Sequence, residues 1–207
     1  MFASQSILVP IQEMTPGMIA EHRNQVIDSL VALASKELGL PERDLVIRDI
    51  QPYTDLTWKW SQASGTTVNN WETTASDTTV GYSTVTGAVT MADQRYVAIF
   101  GARDYRNSVG CTTATEQVGD YLPQANVNLI KFDIGGAIRA VWDITSIQAY
   151  KEMAGFAPGA VIIPQNAAFN ISFYRRAVDS DQTGKAVSTW IQLIGVTVEP
   201  RGKVLSP

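Results

Sequence analysis

Apolar and polar positions alternate with a period of two over most of this chain, and with a helical period once, near its start. Residues 6–12, SILVPIQ, put Ile7, Val9 and Ile11 on one face of a short strand or extended arm. Pro10 lacks a backbone donor and so favours an edge position. The helix signals follow at once. Thr15 suits a cap, Pro16 the first turn, and Gly39 with Pro41 a stop. Between them Ile19, Val26, Ile27, Leu30, Val31, Ala34 and Leu38 recur at helical spacing. The spacing predicts an amphipathic helix over 15–38, about 34 Å long at the standard rise. Its apolar stripe needs cover. Helices that lie on membranes usually carry Lys and Arg on the polar face. This one sets Arg23 and Lys36 against Glu21, Asp28 and Glu37. Val26, Ile27, Leu30 and Val31 are therefore expected to pack on protein, the chain's own sheet first.

Strand patterns fill the remainder. They are read at 44–50, 55–60, 95–102, 125–134, 137–144, 159–164, 166–176 and 188–202. Gly135–Gly136 fits a tight hairpin turn. The stretch 61–90 is dense in Thr, Ser and Gly, but Thr forms strands well. Val68, Trp71, Val80, Tyr82, Val85 and Val89 punctuate it, so exposed strands joined by long loops are expected. Residues 103–124 read as a loop, and 145–155 as a short helix capped by Thr145 and ended by Gly155. At the C-terminal end, Phe169, Ile171 and Phe173 point one way and Asn170, Ser172 and Tyr174 the other. In the last strand Trp190, Ile194, Val196 and Val198 share a face, with Ile191 and Leu193 opposite. One strand is thus buried on one face and the other nearly on both. About nine to eleven strands with no strand–helix alternation argue against a parallel α/β sheet. The expected fold is mainly β, an antiparallel jelly-roll-type sandwich with one long N-terminal helix. Residues 1–43 form the arm and helix, packed on a single domain spanning 44–207.

Composition changes this picture little but narrows function. The chain has 207 residues, 45% of them hydrophobic and only 17% charged. Few charges with many Thr, Ser, Asn and Gln suit surfaces that meet other protein. The net charge is −4, and the densest basic feature is Arg175–Arg176. No Lys/Arg stripe for nucleic acid is present. Nor is there an apolar run of about 18 residues for a membrane span. MFASQSILVPIQEM lacks the basic start and long apolar centre of a signal peptide, so the chain is expected to begin unprocessed. Cys111 is the only cysteine; no intrachain disulfide can form, which suits a reducing cytosol.

Candidate chemistry is sparse. His22 is the only histidine, so a Ser-His-Asp triad must use it, and a three-His zinc site is impossible. Its place in the helix favours packing over catalysis. DSDQTG at 179–184 offers Asp179, Asp181 and Thr183 at the spacing of half a calcium loop. Position twelve of that loop would be Trp190 instead of a bidentate Glu, and the segment joins strands, so a hairpin turn is the better reading. Trp58, Trp60, Trp71 and Tyr82 would suit a sugar-stacking platform, or else core packing. A glycosidase would need two inward carboxylates about 5–10 Å apart. Asn170-Ile-Ser172 matches a glycosylation acceptor but lies mid-strand. No cofactor is expected.

The run PGAVIIPQNAAFNISFYRR, followed by STWIQLIGVTVEPRG, resembles the final strands of jelly-roll capsid proteins from tailless icosahedral viruses. The resemblance covers about a quarter of the chain. It implies a non-enzymatic capsid subunit that assembles with itself into symmetric capsomers, alongside other virion proteins. It further implies synthesis in the host cytoplasm, residence in the virion and indirect contact with an internal membrane, without sequence-specific nucleic-acid binding. Closed shells require complementary surfaces under symmetry. Ile7, Val9 and Ile11 are the expected self-assembly contacts, adding the arm as a strand to a neighbour. The competing readings are a carbohydrate-binding β-sandwich module and, behind it, a glycosidase.

Overall fold

The computed structural model describes residues 4–51, 53–59, 67–69, 89–107, 127–147, 154–175 and 186–203. They are mainly β, arranged as two sheets with one long helix. The strands are β1 (Ser4–Ile7), β2 (Val9–Pro10), β3 (Leu45–Ile50), β4 (Tyr53–Lys59), β5 (Thr67–Asn69) and β6 (Val89–Thr90). They continue as β7 (Tyr96–Asn107), β8 (Val127–Ile134), β9 (Ala137–Asp143), β10 (Ala154–Ile163), β11 (Ala168–Arg175) and β12 (Ala186–Pro200). The helix α1 spans Pro16–Leu38.

The first sheet runs β1-β9-β8-β11-β5, with β6 also on β11. The second runs β2-β10-β7-β12-β3, with β4 also on β12. Among the described residues all pairings are antiparallel except β1 on β9. The sheets face each other across one core. Ile130, Phe132, Trp142, Phe169 and Ile171 come from the first sheet; Val97, Ile99, Val161, Ile163, Ile191 and Leu193 from the second. Phe132 and Trp142 meet with centroids 4.5 Å apart.

The second sheet is buried on both faces. Its outer face carries α1, where Val26, Leu30, Val31 and Ala34 are buried against Tyr96, Ala98, Phe100, Val196 and Val198. Ile27 is half-buried on the same cluster. This explains why β7 reads as a nearly continuous apolar run: Val97 and Ile99 face the sandwich, while Tyr96, Ala98 and Phe100 face the helix. β12 divides likewise, with Ile191 and Leu193 inward and Val196 and Val198 helix-side. The helix ends follow from local chemistry. The Thr15 hydroxyl accepts the Met18 N–H at 3.2 Å, and Gly39 terminates the helix at φ 66°. Gly135 and Gly136, at φ 63° and 75°, make the β8–β9 turn.

Three expectations are corrected. The single strand over 6–12 is two short strands and a 3-10 turn at Ile11–Glu13. The chain turns a corner at Leu8, which is fully buried in the sandwich core while β1 pairs with one sheet and β2 with the other. Ile7, Val9 and Ile11 therefore do not share one face. The strand at 95–102 continues to Asn107, because β12 pairs with it along that whole length. The short helix over 145–155 is not formed at either end. Thr145 is held in a turn by the Asp143 carboxylate, which accepts its N–H at 2.9 Å and its hydroxyl at 2.5 Å. Ala154 and Gly155 already belong to β10.

Candidate assembly surface

The corner at Leu8 is pinned on three sides. The Leu8 N–H donates to the Asp143 carbonyl at 3.1 Å, and the Ser146 hydroxyl donates to the Leu8 carbonyl at 2.5 Å. On β10, Gly155 passes under Val9. The side chains on either side of Leu8 are left outside, with Ile7 61% and Val9 37% exposed.

Val9 opens onto a cleft of about 240 Å³ at the N-terminal half of α1. Three segments build it. The arm gives Val9 and Met14, the helix gives Met18, Glu21, His22 and Gln25, and β10 gives Phe156, Ala157 and Pro158. The β10 contribution arises from a register shift between Phe156 and Val161, a bulge that turns Pro158 and Gly159 outward. Met18 is 49% exposed at the rim. His22 lies deeper. Its ring meets Phe100 edge-on at 5.8 Å and Phe156 at 6.1 Å, and its Nε2 is buried without a hydrogen-bond partner. Burial holds its pKa below the ordinary 6.5. The cleft holds one carboxylate, Glu21, whose Oε1 accepts from the Gln25 amide at 3.3 Å. The lining is mainly apolar, with Glu21, His22 and Gln25 as its polar members.

A second feature lies where β12 ends. Glu199 is 3% exposed, and its Oε1 receives Arg95 at 2.8 Å and Arg48 at 2.9 Å. Burial alone would raise its pKa, but the two guanidinium groups outweigh that and hold it below its ordinary value. The Thr197 hydroxyl donates to the Tyr96 carbonyl at 3.1 Å. The Tyr96 phenol crosses to the helix and donates to Glu37 at 2.8 Å. Burial and the facing Glu37 carboxylate push that phenol well above the usual tyrosine range. These groups lock strand, sheet and helix together. The sequence offered one signal for them, a glutamate standing in an otherwise uncharged terminal strand.

The other candidates from sequence are dispersed. Asp179, Asp181 and Thr183 lie outside the described residues, as do Trp60, Trp71, Tyr82, Cys111 and Arg176. Trp58 lies on β4 and Arg175 on β11. Ser172 is buried in β11. Ile11 is half-buried against the helix-side cluster, unlike exposed Ile7 and Val9. Among the described residues no group of three His, Cys, Asp or Glu side chains could hold a metal ion. Among them, too, no helix is long and apolar enough to cross a membrane. No family model matches the chain, and no curated protein matches it.

Proposed function

We propose that this protein is a capsid subunit with a jelly-roll fold, a non-enzymatic structural protein that self-assembles into symmetric capsomers of an icosahedral shell. The strand pairing carries the reading. β8 pairs with β9, β7 with β10, β5 and β6 with β11, and β3 and β4 with β12. These pairs nest, so the chain from β3 to β12 follows one long antiparallel ribbon doubled back at Gly135–Gly136. Rolling that ribbon puts β12 beside β7 and β11 beside β8, the two remaining pairings among β3 to β12. An eight-position ribbon rolled into two facing sheets is the jelly-roll plan. Of the ribbon's two ends, β12 lies inside its sheet between β7 and β3, while β3 forms an edge of that sheet.

The exposed apolar corner at Ile7, Val9 and Met18, together with the low charge content, supports self-association as the use of this scaffold. The partners on this reading are further copies of the chain and other virion proteins, with no sequence-specific nucleic acid. Sedimentation velocity of the purified protein over a wide concentration range tests it. Discrete oligomers of fixed size are expected. A monomer at every concentration contradicts the reading.

A further inference from the structure

The two ends of α1 are attached to the second sheet by different means. From Val26 onward the helix is anchored by buried Val26, Leu30, Val31 and Ala34, and by the Tyr96–Glu37 hydrogen bond. Its first ten residues, 16–25, have no fully buried side chain. They are held by half-buried Ile19, by the ring of His22 between Phe100 and Phe156, and by the Arg23–Asp49 pair at 2.8 Å. That ion pair is 40% and 62% exposed, so it contributes little. His22 is therefore the principal wedge between this end of the helix and the sheet. Its Nε2 is enclosed without a partner.

We propose that His22 is an acid-sensitive latch: protonation of its imidazole releases the start of α1, residues 16–25, from the sheet. A charged imidazole in the slot would carry a buried N–H with nothing to receive it, which is costly. The charged neighbours do not relieve this. On α1 they are Glu21, engaged by Gln25, and Arg23, engaged by Asp49 of β3. The turn after β2 carries Glu13. β10 contributes Phe156, Ala157 and Pro158 to this region, and β7 contributes Phe100; none is charged. The open state, with the ring in water, takes up a proton at the ordinary value near 6.5. As pH falls below that value the open state binds protons that the closed state refuses, and opening becomes easier. Histidine is the one side chain whose ordinary titration falls in this window. The inference concerns the subunit itself and stands apart from shell assembly.

Hydrogen exchange on the full chain, corrected for intrinsic rates, tests it between about pH 7.5 and pH 5.5. Protection over 18–25 is expected to fall by up to about tenfold, the limit for one proton taken up by the open state one pH unit below its ordinary value, while 28–36 holds. His22→Leu should remove the pH dependence, whereas Asp49→Asn should leave it intact. Unchanged protection in the wild type, or an equal acid loss in His22→Leu, overturns the proposal. Should His22→Leu fail to fold, the wild-type proton NMR titration decides, because a single histidine gives an unambiguous ring signal. A midpoint below 6.5 that tracks the loss of protection sustains the latch; a midpoint at or above that value overturns it.

Discussion

Gly155 on β10 and Val9 of the arm approach so closely that no side chain fits between them. A Cβ at Gly155 would lie 2.7 Å from the Val9 carbonyl oxygen and 2.5 Å from Ile147 Cγ2. The arm is seated on the sandwich through this glycine, which is why the exposed side chains of Ile7 and Val9 are held in fixed positions.

Gly155→Ala should therefore unseat the arm. A destabilisation of about 1–3 kcal/mol is expected, the usual cost of overpacking, read as a lower midpoint in urea. Gly159→Ala, where a Cβ meets nothing within 4 Å, is the matched control and should leave the midpoint nearly unchanged. Equal midpoints for the two variants would show that the arm is not seated at Gly155.

Leu30 is fully buried between α1 and the second sheet. Leu30→Ala should cost about 2–5 kcal/mol, and Leu30→Asp should cost more, because it buries a carboxylate with no partner. Thermal unfolding measures both. A normal melting temperature for Leu30→Asp would mean that the stripe does not pack on the sheet.

Tyr96→Phe removes the phenol that donates to Glu37. A loss of about 1.5–3 kcal/mol is expected for a hydrogen bond to a charged group. In the wild type, alkaline difference absorbance should show a tyrosine that ionises well above the usual range, and Tyr96→Phe should lack it.

Glu199 gives the fold an acid limb. Its carboxyl titrates below the ordinary 4.5 in the folded chain. The stability this confers is fully present above 4.5 and is lost as pH falls through the lower, folded value. Urea midpoints measured from neutral pH down past that value should fall in the wild type and fall less steeply in Glu199→Gln. Parallel curves would remove Glu199 from the account. The His22 effect is separable, since it begins at higher pH.

Much of the fold was legible in sequence wherever one local rule acted alone. The helix is delimited by the Thr15 cap and the left-handed Gly39, and its stripe by period. The β8–β9 hairpin follows from Gly135–Gly136. The double-sided burial of β12 was visible because Ile191 and Leu193 alternate with apolar Val196 and Val198 across the bulge at Ile194–Gly195. Reading failed where a distant partner decided the outcome. Thr145 looked like a helix cap, but Asp143 captures it in a turn. Gly155 looked like a helix stop, but it is the one residue thin enough to pass under the arm. The corner at Leu8 depends on two sheet edges that no window of seven residues contains. Of the candidate surface, the arm residues Ile7 and Val9 were named from sequence together with Ile11, which is instead half-buried on the helix side. The cleft was not, because Phe156 and Met18 come together only through packing.

The central claim is that this rolled ribbon builds a symmetric shell through its exposed apolar corner. Electron microscopy of the purified protein at high concentration tests it most directly. The account predicts closed rings or shells of one symmetry, lost or dissociated in the double variant Ile7→Asp, Val9→Asp while the fold persists by circular dichroism. A field of single, unassociated particles from the wild-type chain would contradict it.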